Sequence, residues 1–93
     1  MVIGILNVIL SIHKSNSLKD KRIILNSLKT RLHRQFNISL IESDDQDKWQ
    51  RSTLTIVNVG QNKRLVDQTI NRIIDFIERD NQCQILNYHI ELI

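Results

Sequence analysis

A ten-residue segment, E-S-D-D-Q-D-K-W-Q-R at residues 42–51, holds the only tryptophan of the chain among four acids, a lysine and an arginine. Carboxylates in this number could supply the oxygen ligands that a divalent cation prefers. A calcium-binding loop, however, needs a glycine at its sixth position and a glutamate at its end, and this segment has neither. We therefore predict no metal at this segment, and we expect no cofactor elsewhere in the chain.

A second group of residues could bind phosphate. Between residues 19 and 33, polar side chains recur at intervals of three or four, which places them on one face of a helix. This basic stripe consists of Lys19, Arg22, Asn26, Lys29 and His33. Phosphates along an RNA backbone would suit it, and the free N–H groups at a helix start also favour anions. Exposed helix faces are commonly rich in lysine, so the pattern alone does not decide the matter.

The charge is divided unevenly along the chain. Residues 1–36 carry seven lysines and arginines against one acid, a net charge of +6, whereas the remaining residues carry six against nine, a net charge of −3. A basic first third favours an anionic partner, such as RNA or an acidic protein surface. We predict that the residues in contact with RNA or another anion are Lys19, Lys21, Arg22, Lys29, His33 and Arg34.

Residues that could perform catalysis are few and scattered. The three histidines belong to different predicted elements, and Cys83 has no evident base nearby. The turn formed by His13, Lys14 and Asn16, with Arg22 beyond it, could hold phosphate as in an acylphosphatase-type enzyme, but the glycine-rich turn that such a site needs is missing. We predict that the protein is not an enzyme and has no catalytic residues. A small phosphate-handling enzyme is the weaker alternative.

Hydrophobic periodicity predicts the elements that must position these residues. Strands are expected at 2–12, 37–43, 52–59 and 84–93, and helices from Ser17 to about residue 36 and over 62–80. Ser17 and Asp20 resemble a capping box, and Asn62 is a typical helix N-cap. The order β-α-β-β-α-β predicts an α+β, ferredoxin-like sandwich, in which a four-stranded antiparallel sheet carries two helices on one face. We expect residues 1–93 to form a single domain of this kind.

The other face of such a sheet would be open. Its candidate apolar residues are Ile3, Ile5, Ile9, Ile41, Val57, Val59 and Ile85. A patch of this kind is unusual on a monomer, and it predicts a homodimer formed through the open face or a partner protein at that face. Alternatively, intervening threonine and asparagine residues divide it into ordinary surface.

Two further features concern the setting of the protein. The longest apolar run, V-I-G-I-L, is interrupted by Asn7, and neither a signal peptide nor a membrane span is expected. A lone cysteine, Cys83, fits a reducing compartment, and we predict a cytoplasmic location.

RNA binders of the usual ferredoxin-like type stack bases on sheet aromatics. Only four aromatic residues occur here and the central strands lack that motif, so RNA is expected at the helix or the loop, and no DNA sequence reading is expected.

Several stretches resemble the YlxP-like family of small uncharacterised bacterial proteins, a domain of unknown function. They are S-L-K-D-K-R at 17–22, D-D-Q-D-K-W-Q-R at 44–51, the opening M-V-I-G-I-L, F-N-I-S at 36–39 and D-F-I-E at 75–78. The resemblance implies a ferredoxin-like fold. It also implies a setting near translation initiation and ribosome maturation, because the genes of the family tend to lie among genes for those processes. It implies no activity and no catalytic residues.

Three interpretations of the tryptophan segment remain open. Trp49 could pack against the edge of the helix layer while Gln50 and Arg51 hold the loop to Asp44 or Asp47. It could instead stack on a base, with Lys48 and Arg51 meeting phosphate, or it could anchor a partner protein or the other subunit of a dimer. We define the predicted recognition loop by Asp44, Gln46, Asp47, Trp49, Gln50 and Arg51.

The sequence therefore predicts a non-enzymatic accessory factor that associates with RNA or a ribosomal subunit. The alternative is a protein-interaction or assembly module that uses the open sheet face and the loop at residues 43–52.

Overall fold

The six predicted elements are present, in the predicted order, in a computed structural model that describes all 93 residues. They are β1 (Val2–Ser11), α1 (Leu18–Gln35), β2 (Ser39–Asp44), β3 (Arg51–Gly60), α2 (Lys63–Glu78) and β4 (Gln84–Leu92). The strands form one sheet in the order β2-β3-β1-β4, and every neighbouring pair is antiparallel. The prediction of an α+β, ferredoxin-like fold is confirmed. Neither helix is long and apolar enough to cross a membrane.

Side-chain caps begin both helices where the sequence predicts them. The Ser17 hydroxyl accepts a hydrogen bond from the Asp20 N–H at 3.1 Å. The Asp20 carboxylate accepts from the N–H of Asn16, one residue before the cap, rather than from Ser17 itself. At α2, the Asn62 side chain accepts from the Leu65 N–H at 3.0 Å. These bonds satisfy donors that the first helical turn leaves free, and they determine where each helix leaves the preceding loop.

The core lies between the sheet and the two helices. Alternate residues of β1, from Leu6 to Leu10, and Ile12 just after the strand are fully buried beneath residues of α1 and α2 such as Leu28 and Ile73. Gly4 allows α2 to approach β1 closely, because a Cβ at this position would lie only 2.5 Å from Val66 Cγ1. Both helices therefore cover the same face of the sheet and leave the other face open.

The open face carries the predicted aliphatic residues, with one correction. Ile3 lies opposite Val59 and Ile5 lies opposite Val57 across the β1–β3 pair. The prediction was wrong for Ile85, which packs against the core. A β-bulge in β4 shifts the register between Ile9 and Leu10 of β1 and places Ile85 opposite Leu10, on the helix side.

Candidate functional site

Two loops meet at the end of the sheet where β1 ends and β3 begins. The first connects β1 to α1 over residues 12–17, and the second, here called the Trp49 loop, comprises residues 45–50. The Ile12 N–H donates to the Gln50 carbonyl at 2.9 Å, and the Gln50 side chain donates to the Ser15 carbonyl at 3.0 Å. The two sequence stretches with the most distinctive motifs, 17–22 and 44–51, are thereby brought to one place.

Asp45 organises the Trp49 loop. Its backbone is left-handed, with φ of 64°, a conformation that aspartate tolerates better than most residues. The buried carboxylate accepts from Lys48 Nζ at 3.0 Å, from Arg51 Nε at 3.2 Å and from Thr53 Oγ1 at 2.9 Å. The hydrogen bonds from Lys48 and Thr53 hold the pKa of Asp45 below its ordinary value, against the opposing effect of burial. The Asp45 side chain therefore connects Lys48 of the loop to Arg51 and Thr53 of β3.

Asp45 was not among the residues predicted to form the recognition loop. The only local indication is its spacing from Lys48, three residues later, because the contacts to Arg51 and Thr53 depend on the geometry of the β2–β3 hairpin. Its neighbour Asp44, a member of the predicted recognition loop, accepts from the Asp45 N–H at 2.8 Å and is exposed.

Lys21 lies beneath the loop and not on the exposed basic surface where it was predicted. Its side chain is 3% exposed, its Nζ lies 2.8 Å from Glu42 Oε2, and it donates to the Asp45 carbonyl at 2.6 Å. The Ser52 hydroxyl donates to the same Glu42 oxygen at 2.6 Å. The helical spacing explains this placement, because Lys21 falls on the inner side of α1 in line with buried Leu28. Lys21 therefore connects α1 to the Trp49 loop and is not available to an external anion.

Trp49 is exposed. Its side chain does not pack against the helix layer, as one interpretation of the sequence required, and 56% of the residue is accessible. The same interpretation expected Gln50 and Arg51 to hold the loop, and they do so through Ser15 and Asp45 rather than through Asp44 or Asp47. An accessible indole on a loop with internal fastening can meet a partner without a large cost in conformational entropy.

The members of the basic stripe lie on the surface, next to this loop. Lys19, Arg22, Asn26, His33 and the adjacent Arg34 are exposed, and Lys29 is half-buried. The cations among them make no ion pair within the protein. Arg22, Asn26 and Lys29 line a small cleft of about 60 Å³ together with Gln46 of the Trp49 loop. The stripe and the loop thus form one continuous surface, here called the α1–loop surface.

The charges of the tryptophan segment are largely balanced internally. Glu42 pairs with Lys21, and Asp45 pairs with Lys48 and Arg51. Asp47 is exposed, as is Gln46, whose side chain donates to the Glu42 carbonyl at 3.3 Å. Two of the four acids are thus paired, as are both cations of the segment that were expected to meet phosphate, whereas the exposed Asp44 and Asp47 make no ion pair.

Two groups with catalytic potential, His13 and Cys83, line one groove together with Glu78 and Asp80. His13, Lys14 and Asn16 are exposed on the β1–α1 loop. Cys83 is buried at the start of β4, and burial, aided by the nearby Asp80 carboxylate, raises the pKa of its thiol to about 12. A thiol of this kind carries almost no thiolate near neutral pH and is a poor nucleophile. No three histidine, cysteine, aspartate or glutamate side chains come close enough together to hold a metal ion.

Comparison with known proteins identifies the family. Residues 3–90 match the family described as protein of unknown function (DUF503). The chain belongs to the DUF503 family. It is also similar to the uncharacterized protein YlxP of Bacillus subtilis (strain 168), with 34% identity over 67 residues, which cover 72% of this chain and 73% of that protein. The resemblance to a YlxP-like family is thus confirmed, and in this DUF503 protein the two motif stretches meet through Lys21 and Asp45.

Proposed function

We propose that the protein is a cytoplasmic, non-enzymatic accessory factor that binds RNA or a ribosomal subunit through the α1–loop surface. The observation that supports this function is that the fastened loop that carries the exposed Trp49 adjoins, through Gln46, a row of unpaired cations along α1. Aromatic side chains stack on unpaired bases, and lysine and arginine neutralise backbone phosphates. The combination fits a single-stranded or loop region of RNA better than a regular duplex, whose bases are not free to stack.

The charge distribution adds support. Of the seven cations in residues 1–36, only Lys21 and Arg31 are engaged in ion pairs, with Glu42 and Asp80. The five that remain belong to one loop and one helix: Lys14, Lys19, Arg22, Lys29 and Arg34. Paired acids within the tryptophan segment reduce the repulsion that the sequence suggested for phosphate. The location on α1 also explains why the sheet needs no aromatic residues for this function.

Binding to total ribosomal RNA and to purified ribosomal subunits across a salt series tests the proposal. Affinity should fall by about 100-fold between 50 and 200 mM salt if about five phosphates are neutralised on single-stranded RNA. The double variant Arg22→Ala/Lys29→Ala should reduce the slope of log K against log salt by about 1.4. Trp49→Ala should weaken binding by about tenfold because a base loses its stacking partner, whereas Trp49→Phe should retain most of the affinity.

A matched control variant distinguishes binding at the α1–loop surface from attraction by net charge alone. Lys63→Ala/Arg64→Ala removes two exposed cations, which make no ion pair, from the start of α2 and should leave both affinity and slope unchanged. An equal loss of binding in this control would show that only net charge matters. Absence of binding at low salt would refute the proposed function.

The open sheet face supports a second candidate function, a protein-interaction module that forms a homodimer. Ile41 and Val59 are 62% and 52% exposed, next to the half-buried Ile3, Ile5 and Val57. This face carries few charges: Arg51 pairs with Asp45, and Glu91 lies beside His89, 3.9 Å away. Two copies could therefore join their open faces while their basic helices point away from each other, which keeps electrostatic repulsion low.

Ile5→Lys tests the homodimer. A charge at the centre of this face should shift a dimer to monomer at the same protein concentration, which analytical ultracentrifugation would detect, because an unpaired charge cannot be buried in the interface. Leu65→Lys, which alters an exposed apolar residue on α2, is the matched control and should leave the mass unchanged. A wild-type protein that is monomeric at concentrations up to about 1 mM would argue against this interface.

A further inference from the structure

A second polar groove lies between the helices, near the C-terminal end of α1. It measures about 560 Å³ and is lined by residues from the end of α1, one side of α2, and Asn58 of β3. Along α1, about 21 Å separates Lys21, beneath the Trp49 loop, from Gln35 at this groove, at 1.5 Å per residue. Its volume is in the range of ligand-binding clefts, and none of its lining residues belongs to the α1–loop surface.

Two arginines without ion-pair partners line this groove. Arg72 and Arg79 are exposed, and neither lies within 4.0 Å of a carboxylate oxygen. They are separated by two helical turns, about 10.5 Å, a distance over which two long side chains can converge on one anionic group. Asp75 lines the same groove, is exposed and is also unpaired. The groove therefore offers two guanidinium groups for an anion and one carboxylate for a hydroxyl or amino group.

Asn58 supplies a polar group at the base of the groove. The residue is only 7% exposed, and its Nδ2 donates to the Asn37 carbonyl at 2.8 Å. Its Oδ1 accepts no hydrogen bond from the protein. Every fully buried side-chain oxygen of the protein has a hydrogen-bond partner, so this Oδ1 is accessible to solvent. The hydrogen bond from Nδ2 fixes the orientation of the Asn58 amide. Its Oδ1 is therefore positioned to accept a hydrogen bond from a ligand N–H or O–H.

Aromatic surface lies beside these polar groups. The rings of Phe36 and Phe76 are 5.9 Å apart in a T-shaped arrangement, with an interplanar angle of 89°, and both residues are half-buried lining residues. Aromatic surface that adjoins arginine favours a planar ring, since bases stack on phenyl groups and on guanidinium planes.

We propose that this groove binds a nucleoside phosphate, either as a free mononucleotide or as one nucleotide of an RNA strand. Arg72 and Arg79 hold the phosphate, Asp75 and the Asn58 Oδ1 accept hydrogen bonds from the sugar hydroxyls or the base, and the phenylalanine pair contacts the ring. Inorganic phosphate alone fits less well, because it gains nothing from the aromatic surface or Asn58 and meets the Asp75 carboxylate.

A titration followed by amide NMR tests this assignment. The ¹⁵N-labelled protein would be titrated with the four ribonucleoside monophosphates, with a tetranucleotide RNA and with inorganic phosphate. We expect saturable shifts of the Asn58 side-chain amide and the Phe76 backbone amide. Arg72→Gln/Arg79→Gln should weaken binding by about tenfold or more, because charge-assisted hydrogen bonds to phosphate are lost. Lys63→Gln/Arg64→Gln, at exposed cations of the same helix outside the groove, should have no effect.

Comparison of the ligands shows whether the groove binds a free mononucleotide or one nucleotide of an RNA strand. Mononucleotides that bind as tightly as the RNA would indicate a free nucleotide, and markedly tighter binding of the RNA would indicate a strand. Trp49→Ala should retain these shifts, so failure at this groove is separable from failure at the α1–loop surface. No saturable shift with any nucleotide, equal binding of inorganic phosphate, or binding unchanged by Arg72→Gln/Arg79→Gln would each refute the site.

Discussion

Replacing Lys21 by alanine should destabilise the protein by about 3 to 5 kcal/mol, the usual cost of removing one partner from a buried ion pair. The ammonium group lies 2.8 Å from Glu42 and donates to the Asp45 carbonyl, and its side chain is 3% exposed. Without it, the Glu42 carboxylate keeps only the hydrogen bond from Ser52. Urea unfolding followed by far-UV circular dichroism measures the change in free energy. Arg22→Ala, one residue later on the exposed side of α1, should stay within about 0.5 kcal/mol of wild type.

A double variant tests the cause of this loss. Lys21→Met/Glu42→Leu removes both charges and fills much of the same volume, and it should recover at least half of the lost stability. Because Lys21 is internal, this variant should also keep the salt dependence of RNA binding that the wild type shows. A cost below about 1 kcal/mol for Lys21→Ala would contradict a structural role for the ion pair. A reduced salt slope in the double variant would show that Lys21 contacts RNA phosphate after all.

Asp45→Ala should cost about 3 kcal/mol, through the loss of charge-assisted hydrogen bonds and a left-handed backbone that alanine adopts poorly. Asp45→Gly loses the same side-chain bonds but accepts the backbone conformation. The glycine variant should therefore be about 1 kcal/mol more stable than the alanine variant, the reverse of the order found at ordinary positions. Unfolding in urea at pH 7 measures both changes. Equal stabilities, or a more stable alanine variant, would show that the strain at Asp45 is absent in solution.

The pH dependence of these variants has a definite sign. The pKa of Asp45 in the folded protein lies below the ordinary value of 3.8, because Lys48 and Thr53 stabilise the carboxylate. The stabilisation is therefore complete above that ordinary value and is lost as the pH falls through the lower, folded-state pKa. Asp45→Asn tolerates the backbone conformation but lacks the charge, so its stability should approach that of wild type as the pH falls below 3.8. A difference that stays constant from pH 7 down to about 2.5 would argue against the ion pairs of Asp45.

The tryptophan motif combines two roles that its residue types do not separate. Asp45, Gln50 and Arg51 fasten the loop to its surroundings, and Trp49 is left accessible. Substitutions at the fastening residues should therefore reduce binding indirectly, by loosening the loop, whereas Trp49→Ala should reduce binding with little change in stability. That difference distinguishes recognition from structural support in this family of unknown function.

Much of the fold follows from local patterns in the sequence. Alternating apolar residues in β1 and helical spacing in α2 predict each element to within two residues of its observed bounds. Ser17 and Asn62 mark the helix starts because a side-chain oxygen at that position satisfies free N–H groups, a purely local requirement. The order of the elements then leaves few topologies, since crossover connections are right-handed.

The tertiary structure alone decided how the candidate site is assembled. Lys21 and Asp45 are 24 residues apart in the chain, and the carbonyl of Asp45 is within reach of the ammonium group only because β2 ends beneath the first turn of α1. A bulge in β4 places Ile85 on the helix side of the sheet and not on the open face, and the alternation of residues in the sequence does not predict this bulge. The spacing of polar and apolar residues in the sequence predicts which face of each element is buried and which is exposed. Their pairing depends on strand register and helix packing, which arise from contacts between residues distant in the sequence.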